Sequence, residues 1–84
     1  MSEKICSGLE EVARLVKSTN DASKIKEAIA ALRNLVSGDA SYKQLDAELD
    51  TWQTKLAVIL KEPVGCEGMA KHARYWAERI KNAG

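Results

Sequence analysis

Cys66, Met69 and His72 fall within one short stretch and are the residue types that soft and borderline metals prefer. Their spacing argues against a metal centre. Zinc sites normally carry ligands in pairs about two to four residues apart, and the chain has no such pair. Cys66 and His72, six residues apart, project from different faces of a helix. The C-x-x-C-H pattern of an attached haem is missing as well, so no cofactor is expected. A redox role would rest on Cys66 alone, because a thiol near a helix N-terminus gains thiolate character and reactivity.

His72 is the only histidine and lies in the polar run Lys71-His72-Ala73-Arg74-Tyr75. General acid–base chemistry needs a partner within hydrogen-bond reach in a pocket that excludes water. On its own helix the residues at the right spacing are Glu67, Gly68, Tyr75 and Trp76, which make a poor catalytic set. No nucleophile motif, phosphate loop or nucleotide fingerprint occurs. The chain is not expected to be an enzyme.

Two charged regions remain. Asp46, Glu48 and Asp50, with Asp39 and Lys43, give residues 39–50 a charge of about −3 by their ionised forms. Asp46 and Asp50 are one helical turn apart and could share a cation with Gln53, although a solvated face is the simpler reading. The last segment is the reverse, with Lys71, Arg74, Arg79 and Lys81 outnumbering Glu67 and Glu78. Cations interleaved with His72 and Tyr75 suit nucleic-acid binding, and equally suit the C-terminal half of any helix. Leu32 to Trp52 also reads as helix, glycine-containing turn, helix. Its second helix carries three acids that phosphates would repel, so nucleic acid is the lesser expectation.

These residues have to be held by helices. Ile5, Leu9, Val12 and Val16 form one helical stripe, with Ser2 as a cap and Ser18, Thr19 and Asn20 as the end. A second helix opens at Asp21 or Ser23, buries Ile25, Ala28, Ile29, Leu32, Leu35 and Val36, and closes at Gly38. Ser41 and Gln44 form an S-x-x-Q capping box for a third. Tyr42, Leu45, Leu49, Trp52, Leu56 and Ile59 then alternate steps of three and four, an a/d seam. Pro63 should stop it. The fourth helix is expected near Cys66 to Gly68, with Cys66, Met69, Ala73, Trp76 and Ile80 inward and fraying at Gly84. Trp52 and Trp76 are both expected in the core.

No period-two alternation marks a strand. The expected fold is therefore all-α: one domain over residues 1–84, an up-down antiparallel bundle of about four helices. Composition agrees, at 45% hydrophobic and 30% charged. A net charge of +1 creates no global field toward nucleic acid or anionic lipid. The opening Met1–Cys6 has no signal-peptide pattern and no apolar run reaches membrane length, so a cytoplasmic protein with no membrane contact is expected. A Cys6–Cys66 bridge stays open at this point. The third helix should outrun its partners, which leaves an end where a second chain could pack.

By exclusion and by this seam, the expected role is protein–protein contact, as an accessory subunit, an adaptor or a self-assembling regulator. The candidate interaction surface comprises Lys71, His72, Arg74, Tyr75, Arg79, Asp46 and Asp50. The rival readings are a nucleic-acid module using the basic last helix, and a metal, redox or small-ligand site around Cys66, Met69 and His72.

Overall fold

The computed structural model describes residues 2–18 and 21–83. The Ser2 side chain, Thr19, Asn20 and Gly84, to which sequence assigned a cap and two helix ends, lie outside the described residues. Four helices account for nearly all the rest: α1 Ser2–Ser18, α2 Ala22–Val36, α3 Lys43–Leu60 and α4 Pro63–Ala83. Among the described residues there is no strand.

The expected stripes are the core. Ile5, Leu9, Val12 and Val16 of α1, Ile25, Ile29, Leu32 and Val36 of α2, and Leu45, Leu49, Trp52 and Leu56 of α3 are all buried. Packing runs round a ring, α1 on α2, α2 on α3, α3 on α4 and α4 back on α1, with the α1–α4 interface the most extensive. Neighbours are antiparallel. Gly8 lies over Leu32, Ser37 and Ala30 sit beside Asp46 and Gln53, Glu48 meets Trp76, and Cys6 meets the Ala77 carbonyl. The bundle measures 33 × 21 × 17 Å.

The helix starts show which local signals win. Asp21 caps α2, accepting from the backbone N–H groups of Ser23 (3.0 Å) and Lys24 (3.4 Å). After α2, Gly38 takes a left-handed φ of +80°, the region where a side chain is strained. The capping box expected at Ser41 and Gln44 does not form. Asp39 accepts from the Ser41 N–H at 2.9 Å and opens a 3-10 turn, Ala40–Tyr42, so α3 begins behind Tyr42 without a side-chain cap. A carboxylate two residues upstream offers that N–H a stronger acceptor than the Gln44 amide oxygen that a capping box would use.

Pro63 also acts differently from expectation. It ends nothing beyond Leu60; it is the first residue of α4, so the last helix starts three residues before Cys66. Proline suits this position because its fixed φ is helical and its missing N–H needs no partner there. The Gly65 and Cys66 N–H groups close the first turn on the Glu62 carbonyl, at 3.1 and 3.2 Å. In consequence α4, with 21 residues, is longer than α3, with 18, so α3 outruns α1 and α2 but not α4. Ile59 and Leu60, at the end of the seam, pack against this chain's own core.

The α4 stripe is wider than expected. Ala70 and Ala77 are buried beside Met69, Ala73 and Ile80, because α4 has to cover both α1 and α3. Trp52 is in the core, whereas Trp76 is half-buried with its indole N–H turned to Glu48.

Candidate functional site

The candidate residues divide among three sides of the bundle. On the α3 side of α4, His72 Nδ1 lies 2.8 Å from Glu48 Oε2, and Trp76 Nε1 donates to Oε1 of the same carboxylate. One carboxylate, three-quarters buried, thus fixes two side chains of α4. Because a carboxylate only accepts, Nδ1 carries the proton in this contact, on a ring that is largely exposed. Sequence reasoning sought the histidine's partner on its own helix and missed Glu48, 24 residues away. The signal was present: Glu48 sits one turn before Trp52 and one turn after Leu45, beside the seam rather than opposite it.

A carboxylate-oriented imidazole is an arrangement that catalytic and metal-binding histidines use. Here the adjoining cleft is lined by Trp52, Ile59, Gly65, Gly68 and Met69, which supply no second polar side chain. Among the described residues no three His, Cys, Asp or Glu side chains come together as a metal set. Cys66 is turned away from Met69 and His72, toward a separate cleft with Lys17, Lys61 and Pro63 at the end of the bundle. The structure therefore does not bring the Cys66, Met69, His72 group together.

Outward from His72, α4 presents a ring and cation cluster. Tyr75 is 54% exposed. Its ring meets the Trp76 ring edge-on at 6.0 Å and lies 6.4 Å from His72. The Arg79 guanidinium sits 5.7 Å from the Tyr75 centroid and 5.2 Å from that of Trp76, and its Nη1 donates to the Tyr75 hydroxyl at 3.3 Å. Cation–π attraction at an exposed site is worth about 0.5–1 kcal/mol, enough to bias the arginine toward one pose.

Lys71 and Arg74 face the other way, into the groove between α4 and α1, where Lys17 joins them. The α4 part of the candidate patch is thus divided between a ridge of His72, Tyr75 and Arg79 and a groove with Lys71 and Arg74.

Asp46 and Asp50 lie on a third side. The cation that they and Gln53 share is Arg33 of α2: its Nε is 3.0 Å from Asp46, and its Nη1 is 2.9 Å from Asp50 and 2.8 Å from Gln53. The hydrogen bond to Asp46 and the charges of both carboxylates hold the guanidinium above its ordinary pKa, against a smaller opposing effect of burial. The acidic half of α3 is in this way tied to α2, with Glu48 tied to α4. Along this side Ala30 and Arg33 of α2, with Ser37 just after it, lie beside Asp46 and Gln53 of α3.

Both cysteines are free. Cys6 faces the Ala77 carbonyl, eleven residues along α4 from Cys66, which places the thiols about 16 Å apart along the bundle and rules out a bridge. Burial, and after it the negative charge of Glu10, pushes the Cys6 thiol above the ordinary value of 9.0. Iodoacetamide at pH 8 is therefore expected to alkylate Cys6 more slowly than a free model thiol, read by mass spectrometry of the two cysteine peptides. The raised value also gives a sign for stability. The contribution is full below about pH 9, where the unfolded thiol is still protonated, and is lost as pH rises through the higher folded value. A denaturation midpoint that rose between pH 8 and 11 in the wild type, relative to Cys6→Ala, would contradict this.

No known protein family, no curated protein and no solved structure matches this chain.

Proposed function

We propose that this chain is a small helical binding protein that works by docking the outer surface of α4 onto another protein, as an accessory subunit, an adaptor or a self-assembling regulator. The observation that carries this reading is the exposed Tyr75 ring with Arg79 laid across it and with Trp76 and His72 anchored behind it on Glu48. Tyrosine, tryptophan and arginine dominate the few residues that supply most of the energy of protein interfaces. Side chains held in place before contact lose little further freedom on binding, so more of the interaction appears as affinity. A reducing compartment such as the cytoplasm suits two thiols that have no bridge to form. Among the described residues no helix is long and apolar enough to cross a membrane.

The experiment compares wild type with the Tyr75→Ala/Arg79→Ala double variant as immobilised bait, with light scattering on both proteins. Both residues are exposed, so folding stability should change by only about 0.5 kcal/mol for each surface substitution. Captured protein should fall at least about tenfold, the effect of losing one strong interface anchor. If the contact is with a second copy, the double variant should lose a dimer mass that the wild type shows. Identical capture and identical mass for the two proteins would overturn the reading.

A further inference from the structure

We propose that the groove between α1 and α4 receives an acidic amphipathic helix of the partner, an inference that rests on the reading of the chain as a protein-binding module. The groove holds about 600 Å³ over a floor of Ala13 and Ala77, where small side chains leave room between the two helices. It continues past Lys17 and Arg74 to a second hollow of about 480 Å³ lined by Lys71, Val64 and Gly68. From Val64 to Glu78, α4 flanks it for about 21 Å, the length of nearly four helical turns. A helix laid in a groove is one of the standard ways in which a protein binds a peptide segment.

Charge and apolar surface together specify the occupant. Lys17, Lys71 and Arg74 converge on the Val64 end, where they outnumber Glu67, and none of the three has an ion-pair partner among the described residues. Val64, at the same end, is 77% exposed, an apolar side chain set among cations. Gly68 opens the wall further, since even a Cβ there would meet nothing within 4 Å. Glu10 and Glu78 lie at the opposite end. A matching helix carries carboxylates toward the Val64 end, a cation toward the Glu10 end, and small or aliphatic residues on its inner face.

A nucleic-acid strand fits less well, because its phosphates run the whole length of the track and would meet Glu10 and Glu78, where a helix can place a cation instead. A second copy also fits poorly. Its acidic face from Asp46 to Asp50 is already engaged within the chain, both aspartates by Arg33 and Glu48 by His72 and Trp76.

The test uses the full chain and fluorescence anisotropy at low salt. The probe is a labelled peptide of about four helical turns with glutamates toward one end of its polar face and leucine and alanine on the other. Comparators are the same peptide with lysine for glutamate and a single-stranded oligonucleotide of similar length. The acidic peptide should bind, the lysine version should not, and Lys17→Glu/Arg74→Glu should weaken binding at least tenfold. Val64→Ser should weaken it as well, without reversing any charge. All the altered side chains are exposed, and unchanged thermal melts confirm intact variants. Absence of binding, equal binding of the lysine peptide, tighter binding of the oligonucleotide, a dimer mass that the peptide does not dissociate, or indifference to both variants would each overturn the groove proposal. Capture that still depends on Tyr75 and Arg79 after such a failure would leave the broader reading standing. Groove-dependent peptide binding alongside capture unaffected by Tyr75→Ala/Arg79→Ala would instead remove the Tyr75 face from it.

Discussion

Leu49→Ala is expected to cost about 2–5 kcal/mol, read as a lower urea midpoint at unchanged slope. Leu49 is fully buried in the middle of the α3 stripe, where α2 and α4 both pack. Truncation removes the transfer energy of the lost atoms and leaves a cavity that helices fixed by short turns cannot close. A chain of 84 residues has a total stability of about 4–13 kcal/mol at ordinary per-residue values, so this single change should remove a large fraction of it. Val58→Ala is the control. Val58 is on the same helix but 69% exposed, and its truncation should shift stability by only about 0.5 kcal/mol. Equal losses at the two sites would mean that the α3 stripe is not the core.

The second large effect distinguishes two glycines three residues apart on α4. An alanine Cβ at position 65 would stand 2.4 Å from the Ile59 carbonyl oxygen and 3.1 Å from its carbon. Both are backbone atoms, so no rotamer change relieves the contact; the turn from α3 into α4 has to move. Overpacking of this kind costs about 1–3 kcal/mol or more, against a gain of about 1 kcal/mol from the better helix former. Gly65→Ala should therefore destabilise, by up to about 2 kcal/mol. At Gly68 the same change meets open space in mid-helix and should stabilise by about 0.5–1 kcal/mol. The opposite signs are the check. A stabilising Gly65→Ala would show that α4 does not approach α3 as closely as this.

The helical core was legible because one stripe per helix is a local pattern, complete within each segment. What escaped were decisions between neighbours in space. The position of Glu48 beside the seam is visible in sequence, but the side chains that Glu48 and Arg33 meet are not, since those pairs exist only once α3 has docked on α4 and α2. Asp46 and Asp50 are spaced to share a cation with Gln53, yet a solvated face is the simpler reading of the sequence; the cation they meet is Arg33, which comes from α2. Pro63 is ambiguous by its own chemistry, since it both breaks a helix and begins one. The Glu62 carbonyl, which accepts from Gly65 and Cys66, decided the matter. Ala70 and Ala77 are too small to mark a stripe by themselves and became core because α4 serves two neighbours. On the candidate surface, Lys71, Arg74 and Tyr75 were visible as a cluster. Its division into a groove and a ridge depends on Lys17 and Ala13, contributed by α1.

The most direct test of the central claim is site-specific photo-crosslinking in the native host extract. A photo-reactive phenylalanine analogue is placed at position 75 on α4 and, for comparison, at position 27, an exposed site on α2. Contact through the α4 ridge predicts a discrete protein adduct from position 75, weakened by Arg79→Ala and absent from position 27. Equal labelling from both positions, or adducts indifferent to Arg79, would contradict it.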